Sequence, residues 1–456
     1  MTAFPWSARS VAQALGMPRI AWDHAYAGIC TDTRAAGDGD LYVALRGERF
    51  DGHDFLSDAR MANIGAAVVR TGTPRWTGFD WFEVEDTLEA YGRLARFRRD
   101  AFLGRVVAIT GTNGKTSAKE FTAAALAAAM PVHKSEQNFN NLVGVPRTLL
   151  ALPDEARAAV IECGANQRGE LERMRAIVRP DVAAITNVDA GHLEGFGGID
   201  RILDEKLSRV AGASNVVVGS KPPHLADAAR AVAQDVVTVS ADGSADWAAE
   251  EVTILPDGRA RFRVRGVEVE LPVPGRHQVG NALVALAVAD ILGVPLADAA
   301  RGLAQASLPG GRAAVLEIGG VTVINDTYNA NPASMAAALD LLQAVRGARR
   351  TVVVVGTMRE LGAASADFHA SMAERILDLR PDVVVAVGEF APAFDVLAER
   401  LGGTQLVTGA TPGDVAARLA QALHAGDVSL FKASRGVRLE QLFPILWPSY
   451  GGGEVH

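Results

Sequence analysis

The sequence predicts an α/β protein in three domains, and three observations predict it. The chain has 456 residues, and at roughly 150 residues per domain that length suggests about three domains. Of its residues 49% are hydrophobic and only 21% are charged, which supports buried cores and excludes a disordered or charge-solvated chain. Short apolar runs alternate with longer helical segments over most of the length, the pattern of strands buried on both faces of parallel sheets.

The elements follow in order. Residues 1–100 carry short strands and turns: 41–45 is a strand candidate closed by Arg46-Gly47, and 66–70 is a second. Leu88, Tyr91, Leu94 and Phe97 fall at helical spacing and make 87–100 a helix leading into the next domain. From Arg105 the pattern becomes strand (106–110), glycine loop, then an alanine-rich helix over 115–129 stopped by Pro131. Further apolar runs at 158–161, 182–186 and 216–218 imply a buried, mostly parallel sheet. Alternation over 259–264 and 267–271 instead predicts antiparallel strands around Asp257-Gly258. A last α/β stretch has strand candidates at 321–324, 351–355, 383–387 and 428–431. Pro309-Gly310-Gly311 is the clearest local boundary signal. The expected domains are therefore 1–100, 101–309 and 310–456.

Charge and cysteine narrow the function. With 45 basic and 53 acidic residues the net charge is −8, so no nucleic-acid partner is expected. An anionic small substrate then requires local basic groups set against the global sign. Two distant cysteines, Cys30 and Cys163, suit a reducing compartment rather than a disulfide framework. No run approaches the ~18 apolar residues of a membrane helix. The N-terminus lacks a basic start followed by an apolar run. The expected protein is soluble and cytoplasmic, with no membrane span.

Thr110-Gly111-Thr112-Asn113-Gly114-Lys115-Thr116-Ser117 lies between an expected strand and an expected helix. Glycines there let backbone N–H groups turn toward phosphate oxygens, and the helix N-terminus favours negative charge. Lys115 can reach the β- and γ-phosphates of a nucleotide, and the Thr116 hydroxyl can bind Mg2+. The general phosphate-loop pattern has its first glycine where this chain has Ile109; here Gly111 takes that part.

The shorter Gly-Thr-Asn-Gly-Lys-Thr loop resembles that of the Mur ligase superfamily, and five further segments carry the resemblance along the chain. Thr31-Asp32-Thr33-Arg34 and Gly47-Glu48-Arg49-Phe50-Asp51-Gly52-His53-Asp54-Phe55 resemble its UDP-binding domain. Asn140-Asn141-Leu142-Val143-Gly144-Val145-Pro146 resembles its substrate loop. Asn325-Asp326-Thr327-Tyr328-Asn329-Ala330-Asn331-Pro332 and Lys432-Ala433-Ser434-Arg435-Gly436 resemble segments of its third domain. Within the superfamily the likeness is to the branch that adds D-alanyl-D-alanine to UDP-N-acetylmuramoyl-tripeptide.

The resemblance implies a small N-terminal α/β domain for the UDP substrate. It also implies a central P-loop ATPase-like domain and a C-terminal Rossmann-like domain that completes the ligase. It implies ATP and Mg2+ as cofactors, an acyl-phosphate intermediate, a monomer, and a place in peptidoglycan precursor synthesis, hence in cell wall biogenesis, cell shape and cell division. Residue by residue it implies nucleotide contacts by Gly111, Thr112, Asn113, Gly114, Lys115, Thr116 and Ser117, with Asn281 at the adenine, Asp326 at the ribose and Arg312 at the phosphates. Thr116, Glu162, His192 and Lys206 would hold metal, and Lys115, Lys206, His192 and Glu162 would form the catalytic set. Glu162 and His192 follow apolar strands, where open α/β sheets place their ligands. Lys206 aligns with a lysine that family members carry as a carbamate, which requires an unprotonated amine. Thr31, Asp32, Thr33, Asp51, Asn140 and Asn141 would contact the UDP substrate.

The chain departs from the family's pattern at Leu207-Ser208, at Thr357 and at Ala165-Asn166-Gln167. Two other readings compete. One is the family branch that adds the third residue; its diaminopimelate-selecting forms carry Asp-Asn-Pro-Arg, which is absent here. The other is a P-loop nucleotide switch, against which Arg312 and Asp326 imply a closed cleft around ATP.

Overall fold

The computed structural model describes residues 4–47, 49–61, 63–191 and 193–448. The chain forms two compact units, residues 1–109, 130–165 and 169–183 in the first, and 110–129, 166–168 and 184–456 in the second.

In the first unit, Ile29–Cys30, Leu41–Val43, Ala66–Arg70 and Asp80–Val84 form a four-stranded, wholly parallel sheet in chain order. Side chains alternate between its faces, so apolar residues at every position bury both. Leu41, Val43, Val68 and Phe82 pack with Val11, Leu15, Tyr91 and Leu94 of the helices Ala8–Leu15 and Thr87–Ala101. Tyr42, Ala67 and Val69 pack with Leu56, Ala59 and Ile64 on the other face. Asp86 starts the second helix by accepting the N–H groups of Leu88 and Glu89. The strand at 80–84 escapes the sequence pattern because it is an edge strand with only Phe82 fully buried. The same unit pairs Val132–Lys134 with Ala158–Glu162 in parallel, and 158–162 with 105–109 in register from Arg105–Ala158 to Ile109–Glu162.

In the second unit, helix Lys115–Ala127 lies against Gln278–Ile291 and Leu296–Leu303. Gln278–Ile291 is buried on nearly every side, which its run of Ala, Val and Leu allows. Asn215–Val218, Asp235–Ser240 and Trp247–Ala248 pair in parallel. Glu250–Ile254, Arg259–Val264 and Val267–Pro274 pair antiparallel, as the alternation predicts. Gly258 takes φ 84° in the first turn, where a side chain is disfavoured.

The same unit holds a six-stranded sheet ordered Ala314–Ile318, Val321–Asp326, Val428–Lys432, Thr351–Gly356, Val383–Val387, Gln405–Gly409. Its first pair is antiparallel and the rest are parallel. Val353, Val355, Val384 and Leu430 face one core, and Val352, Val354, Val385 and Phe431 the other. Both strands that the sequence pattern misses, 314–318 and 405–409, lie at the edges and are only partly buried. Among the described residues no helix is long and apolar enough to cross a membrane.

Candidate active site

The phosphate loop takes its shape from two glycines and a neighbouring strand end. Gly111 has φ 148° and Gly114 φ 80°, conformations that L side chains rarely adopt. A Cβ on Gly114 would meet Asn281 Cγ at 2.8 Å, and one on Gly111 would collide with Thr186 Oγ1. Residues 186–189 brace the loop through polar contacts. Asn113 N–H donates to Asn187 Oδ1 at 3.0 Å, and Asn187 Nδ2 donates to the Asn113 carbonyl at 3.0 Å. The Thr112 hydroxyl accepts the Asp189 N–H at 3.0 Å. Asn187 is missing from the sequence-derived site; its signal was a polar residue just past an apolar strand.

Gly114 stands at the N-cap of Lys115–Ala127 and offers no side-chain cap. The N–H groups of that first turn therefore form a dipole-assisted anion site. Lys115 Nζ curls back onto the carbonyls of Gly111 and Thr112, at 2.9 and 3.0 Å. Thr116 and Ser117 are buried beside it. Asn281, expected at the adenine, is buried against Gly114 and donates to Gln278 Oε1 at 2.8 Å.

Lys206 lies on Ile199–Val210 and is 4% exposed. Burial, and secondly the charge of Lys115, push its amine down to about 7, against the pull of Glu205. An amine that sheds its proton near neutral pH is the state a carbamate needs.

Asp326 ends a strand of the six-stranded sheet. Its Oδ2 receives Lys432 Nζ at 2.6 Å, and its Oδ1 accepts the Ala313 N–H at 3.1 Å. Lys432 also donates to the Asn329 carbonyl at 2.8 Å. Arg312 stacks on Tyr328, with Cζ 3.8 Å from the ring centroid. Asn331 caps helix Pro332–Arg346 with its Oδ1 and donates its Nδ2 to Asn113 Oδ1 at 2.7 Å. This contact joins the ligase segment to the phosphate loop, and the sequence singled out Asn331 only as part of a motif.

In the first unit, Glu162 closes its strand and is 2% exposed. Its Oε1 accepts Asn140 Nδ2 at 2.8 Å, while Oε2 is buried without a hydrogen-bond partner. A hard, partnerless carboxylate oxygen beside a strand end fits a Mg2+ ligand. Asn141 instead turns its Oδ1 to the N–H groups of Val143 and Gly144, opening helix Gly144–Leu150. Thr31 and Thr33 flank Asp32, which caps the short turn Thr33–Ala35 and pairs with Arg34. The Arg34 hydrogen bonds lower its carboxyl to about 2. Asp51 caps Gly52–Phe55 and meets His53 Nδ1 at 2.5 Å. His192 lies outside the described residues. Among the described residues no group of three or more His, Cys, Asp or Glu side chains is gathered.

Comparison with known proteins agrees with this arrangement. Residues 25–99 match the Mur ligase family catalytic domain, 109–289 the Mur ligase middle domain, and 311–435 the Mur ligase glutamate ligase domain. The UDP-N-acetylmuramoyl-tripeptide--D-alanyl-D-alanine ligase of Bacillus subtilis is 32% identical over 424 residues, covering 91% of this chain and 92% of its own. The crystal structure of MurF from Acinetobacter baumannii superposes with a TM-score of 0.87 at 33% identity, covering 98% of this chain and 99% of its own. MurF ligase from Thermotoga maritima in complex with ADP gives 0.80 at 28% identity, covering 92% and 96%. Likeness of this extent, in sequence and in fold, makes the chain a member of the Mur ligase family.

Proposed function

We infer that the chain is an ATP-dependent ligase that joins D-alanyl-D-alanine to UDP-N-acetylmuramoyl-tripeptide, giving the UDP-muramoyl-pentapeptide of peptidoglycan precursor synthesis. The observation that carries this is its correspondence, over about nine-tenths of both chains, with an enzyme named for that reaction.

A carboxylate is a poor acyl donor, so it must first be activated. The terminal carboxylate of the tripeptide attacks the γ-phosphorus of ATP, forming an acyl phosphate and releasing ADP. The dipeptide amine then attacks the acyl carbon, loses a proton, and expels inorganic phosphate as the amide forms. Lys115 and the backbone N–H groups at the start of its helix bind the phosphates and offset charge on the transferring group. Positioning does the rest, by holding nucleophile and carbonyl in contact while water is excluded.

Thr116, Glu162, His192 and Lys206 are the proposed Mg2+ ligands, Lys206 as its carbamate. The orphaned Glu162 oxygen and the lowered Lys206 pKa support that assignment. When bound, Mg2+ neutralises charge on the phosphates. Asn281, Asp326 and Arg312 complete the ATP site in this reading. Thr31, Asp32, Thr33, Asp51, Asn140 and Asn141 hold the UDP substrate. Residues 1–100, 101–309 and 310–456 then divide the work among UDP substrate, ATP and acceptor. The enzyme works as a monomer in the cytoplasm, where ATP is available and its two thiols stay reduced.

The test is phosphate release from ATP by the purified protein with UDP-muramoyl-tripeptide and each candidate acceptor. Release that requires D-alanyl-D-alanine is expected. Release with diaminopimelate or glutamate on a shorter precursor would move the chain to another branch of the family, and turnover without any acceptor would favour a nucleotide switch.

A further inference from the structure

The loop that follows strand Thr351–Gly356 borders a polar cavity of about 160 Å3, lined among others by Gly191, Asn331, Arg359, Glu360 and Ser434. The cavity adjoins the phosphate loop: Asn331 Nδ2 is bonded to Asn113, and a Cβ on Gly191 would meet the Thr112 methyl at 2.6 Å. Met358 and Leu361 anchor the loop in the core. Its backbone is tied at three points. Arg359 N–H donates to Ser434 Oγ at 2.9 Å, and the Glu360 carbonyl accepts the Glu194 N–H at 3.2 Å. The third tie, from Met358 N–H to His369 Nε2 at 2.9 Å, is the one made to a titratable side chain.

His369 lies on helix Ser365–Asp378 and is 1% exposed, its ring edge-on to Phe390 with centroids 4.7 Å apart. Its two nitrogens have opposite jobs. Nδ1 is 2.7 Å from the Ser365 carbonyl, which can only accept, so Nδ1 carries the proton. Met358 N–H can only donate, so Nε2 is bare. Together they select one neutral tautomer, and an imidazolium has no lone pair left for Met358. The charged side chain against the ring is Glu389, with Oε2 3.7 Å from Nδ1. Asp367 shares the helix, and Arg359 and Glu360 sit on the loop. Glu389 is itself engaged: Ser365 Oγ donates to its Oε2 at 2.5 Å, and its N–H donates to Thr357 Oγ1 at 3.0 Å. Thr357, where the chain departs from the family's pattern, thus belongs to the same network. Burial pushes the imidazole below its usual 6.5, against the Ser365 bond and the Glu389 charge.

We propose that His369 is a positioning residue: its bare Nε2 fixes the 357–361 loop at the cavity beside the phosphate loop, and a proton taken up there releases the loop. The incoming proton bonds to Nε2, the hydrogen bond from Met358 breaks, and two N–H donors then face each other in a buried site. The disturbance has a bonded route onward. Arg359 holds Ser434, Ser434 Oγ donates to the Ala330 carbonyl at 3.1 Å, and the next residue, Asn331, reaches Asn113. The kinetic consequence rests on the ligase reading above; the hydrogen bond does not. A histidine that only filled space in the core would be replaceable by any side chain of similar volume and would confer no pH dependence.

The test joins two measurements on the parent, His369→Gln and His369→Leu between about pH 5 and 8. One is amide hydrogen exchange of segment 357–361, corrected for the intrinsic rate. The other is phosphate release at saturating ATP, UDP-muramoyl-tripeptide and D-alanyl-D-alanine. Glutamine sets an amide oxygen near the place of Nε2 and does not titrate; leucine fills space and accepts nothing. A buried N–H stripped of its acceptor corresponds to about a ten- to hundredfold effect. At neutral pH His369→Leu should lose exchange protection at 357–361 and turnover by that factor, while His369→Gln stays within about threefold of the parent. Lys206 titrates alike in all three proteins, so the deciding quantity is the turnover of His369→Gln relative to the parent, which should climb as pH falls below 6.5. A flat ratio overturns the proposal, as does a leucine variant that matches the parent in both measurements. A glutamine variant as impaired as the leucine one marks a merely structural residue and also overturns it. Should the leucine variant fail to fold, the glutamine ratio decides alone. If the parent releases no phosphate with D-alanyl-D-alanine, the ligase reading fails, and exchange at 357–361 still decides whether a proton on His369 frees the loop.

Discussion

Replacing Lys206 with methionine separates stability from activity, and the sign follows from its pKa. The amine is 4% exposed and titrates near 7 in the folded chain, against 10.5 when unperturbed. Below about pH 7 it is charged in both states, and the folded chain bears the whole cost of burying that charge. Between about 7 and 10.5 the unfolded chain still holds a proton that the folded chain has released. Stability therefore rises with pH across that window, by about 1.4 kcal/mol per unit, and levels off above it. Summed over the window, the effect is on the order of 5 kcal/mol. Lys206→Met keeps the apolar stem and removes the titration. The variant should unfold at higher urea concentration than the parent at neutral pH, and the gap should close as pH approaches 10. Its ligase activity should be lost, because the proposed metal-binding group is gone. Urea unfolding in CO2-free buffer without nucleotide, from about pH 6.5 to 9.5, measures this directly. Bicarbonate should stabilise the parent and leave the variant unmoved if the amine takes up CO2. Parallel pH profiles, or a variant less stable than the parent at pH 7, would refute the reasoning.

Three further outcomes follow from single contacts. Glu162→Gln keeps an oxygen for Asn140 Nδ2 but discards the charge on the orphaned carboxylate, so the Mg2+ concentration for half-maximal activity should rise about tenfold or more while the melting temperature holds. Asn331→Asp keeps the cap on Ser334 but loses the donor to Asn113 and sets an anion beside the phosphate loop; the ATP KM should rise, whereas Asn331→Ala should also cost about 1 kcal/mol of stability in urea titrations. Gly114→Ala must adopt φ 80° and displace Asn281, for about 2 kcal/mol in all. Adding Asn281→Ala should recover part of that in nucleotide-free unfolding, and strict additivity would show that the two sites do not touch.

What was legible in the sequence depended on burial. Val352 to Val355 and Val383 to Val387 are buried from end to end, so their apolar runs announced strands without ambiguity. Asp80–Val84, Ala314–Ile318 and Gln405–Gly409 were illegible for the converse reason: edge strands need only one or two buried side chains. The phosphate loop was legible because glycine, lysine and threonine are required by its geometry at fixed spacing. Asn187 was not, and Lys432 entered only within a motif, because a polar residue that braces another element over a long chain separation has no local pattern of its own. Lys432 meets Asp326 at |i−j| of 106.

The role of the 432–435 segment is mechanical before it is chemical. Lys432 Nζ holds Asp326 and the Asn329 carbonyl, and Ser434 Oγ donates to the Ala330 carbonyl at 3.1 Å while accepting the Arg359 N–H. The first three of these bonds fix the turn 326–331 against the end of a neighbouring strand. That turn ends in Asn331, whose amide reaches Asn113. Asp326, proposed at the ribose, and Asn331, at the phosphate loop, are thus set by the same strand end. Lys432 is buried and its partner Asp326 half-buried, so removing the lysine charge alone leaves a partly desolvated carboxylate uncompensated, a change that costs about 2 kcal/mol. The damage should not stay local. A loosened turn shifts the nucleotide contacts, so the ATP KM should rise in Lys432→Met, and an ATP KM equal to the parent's would show that the turn keeps its place without this lysine.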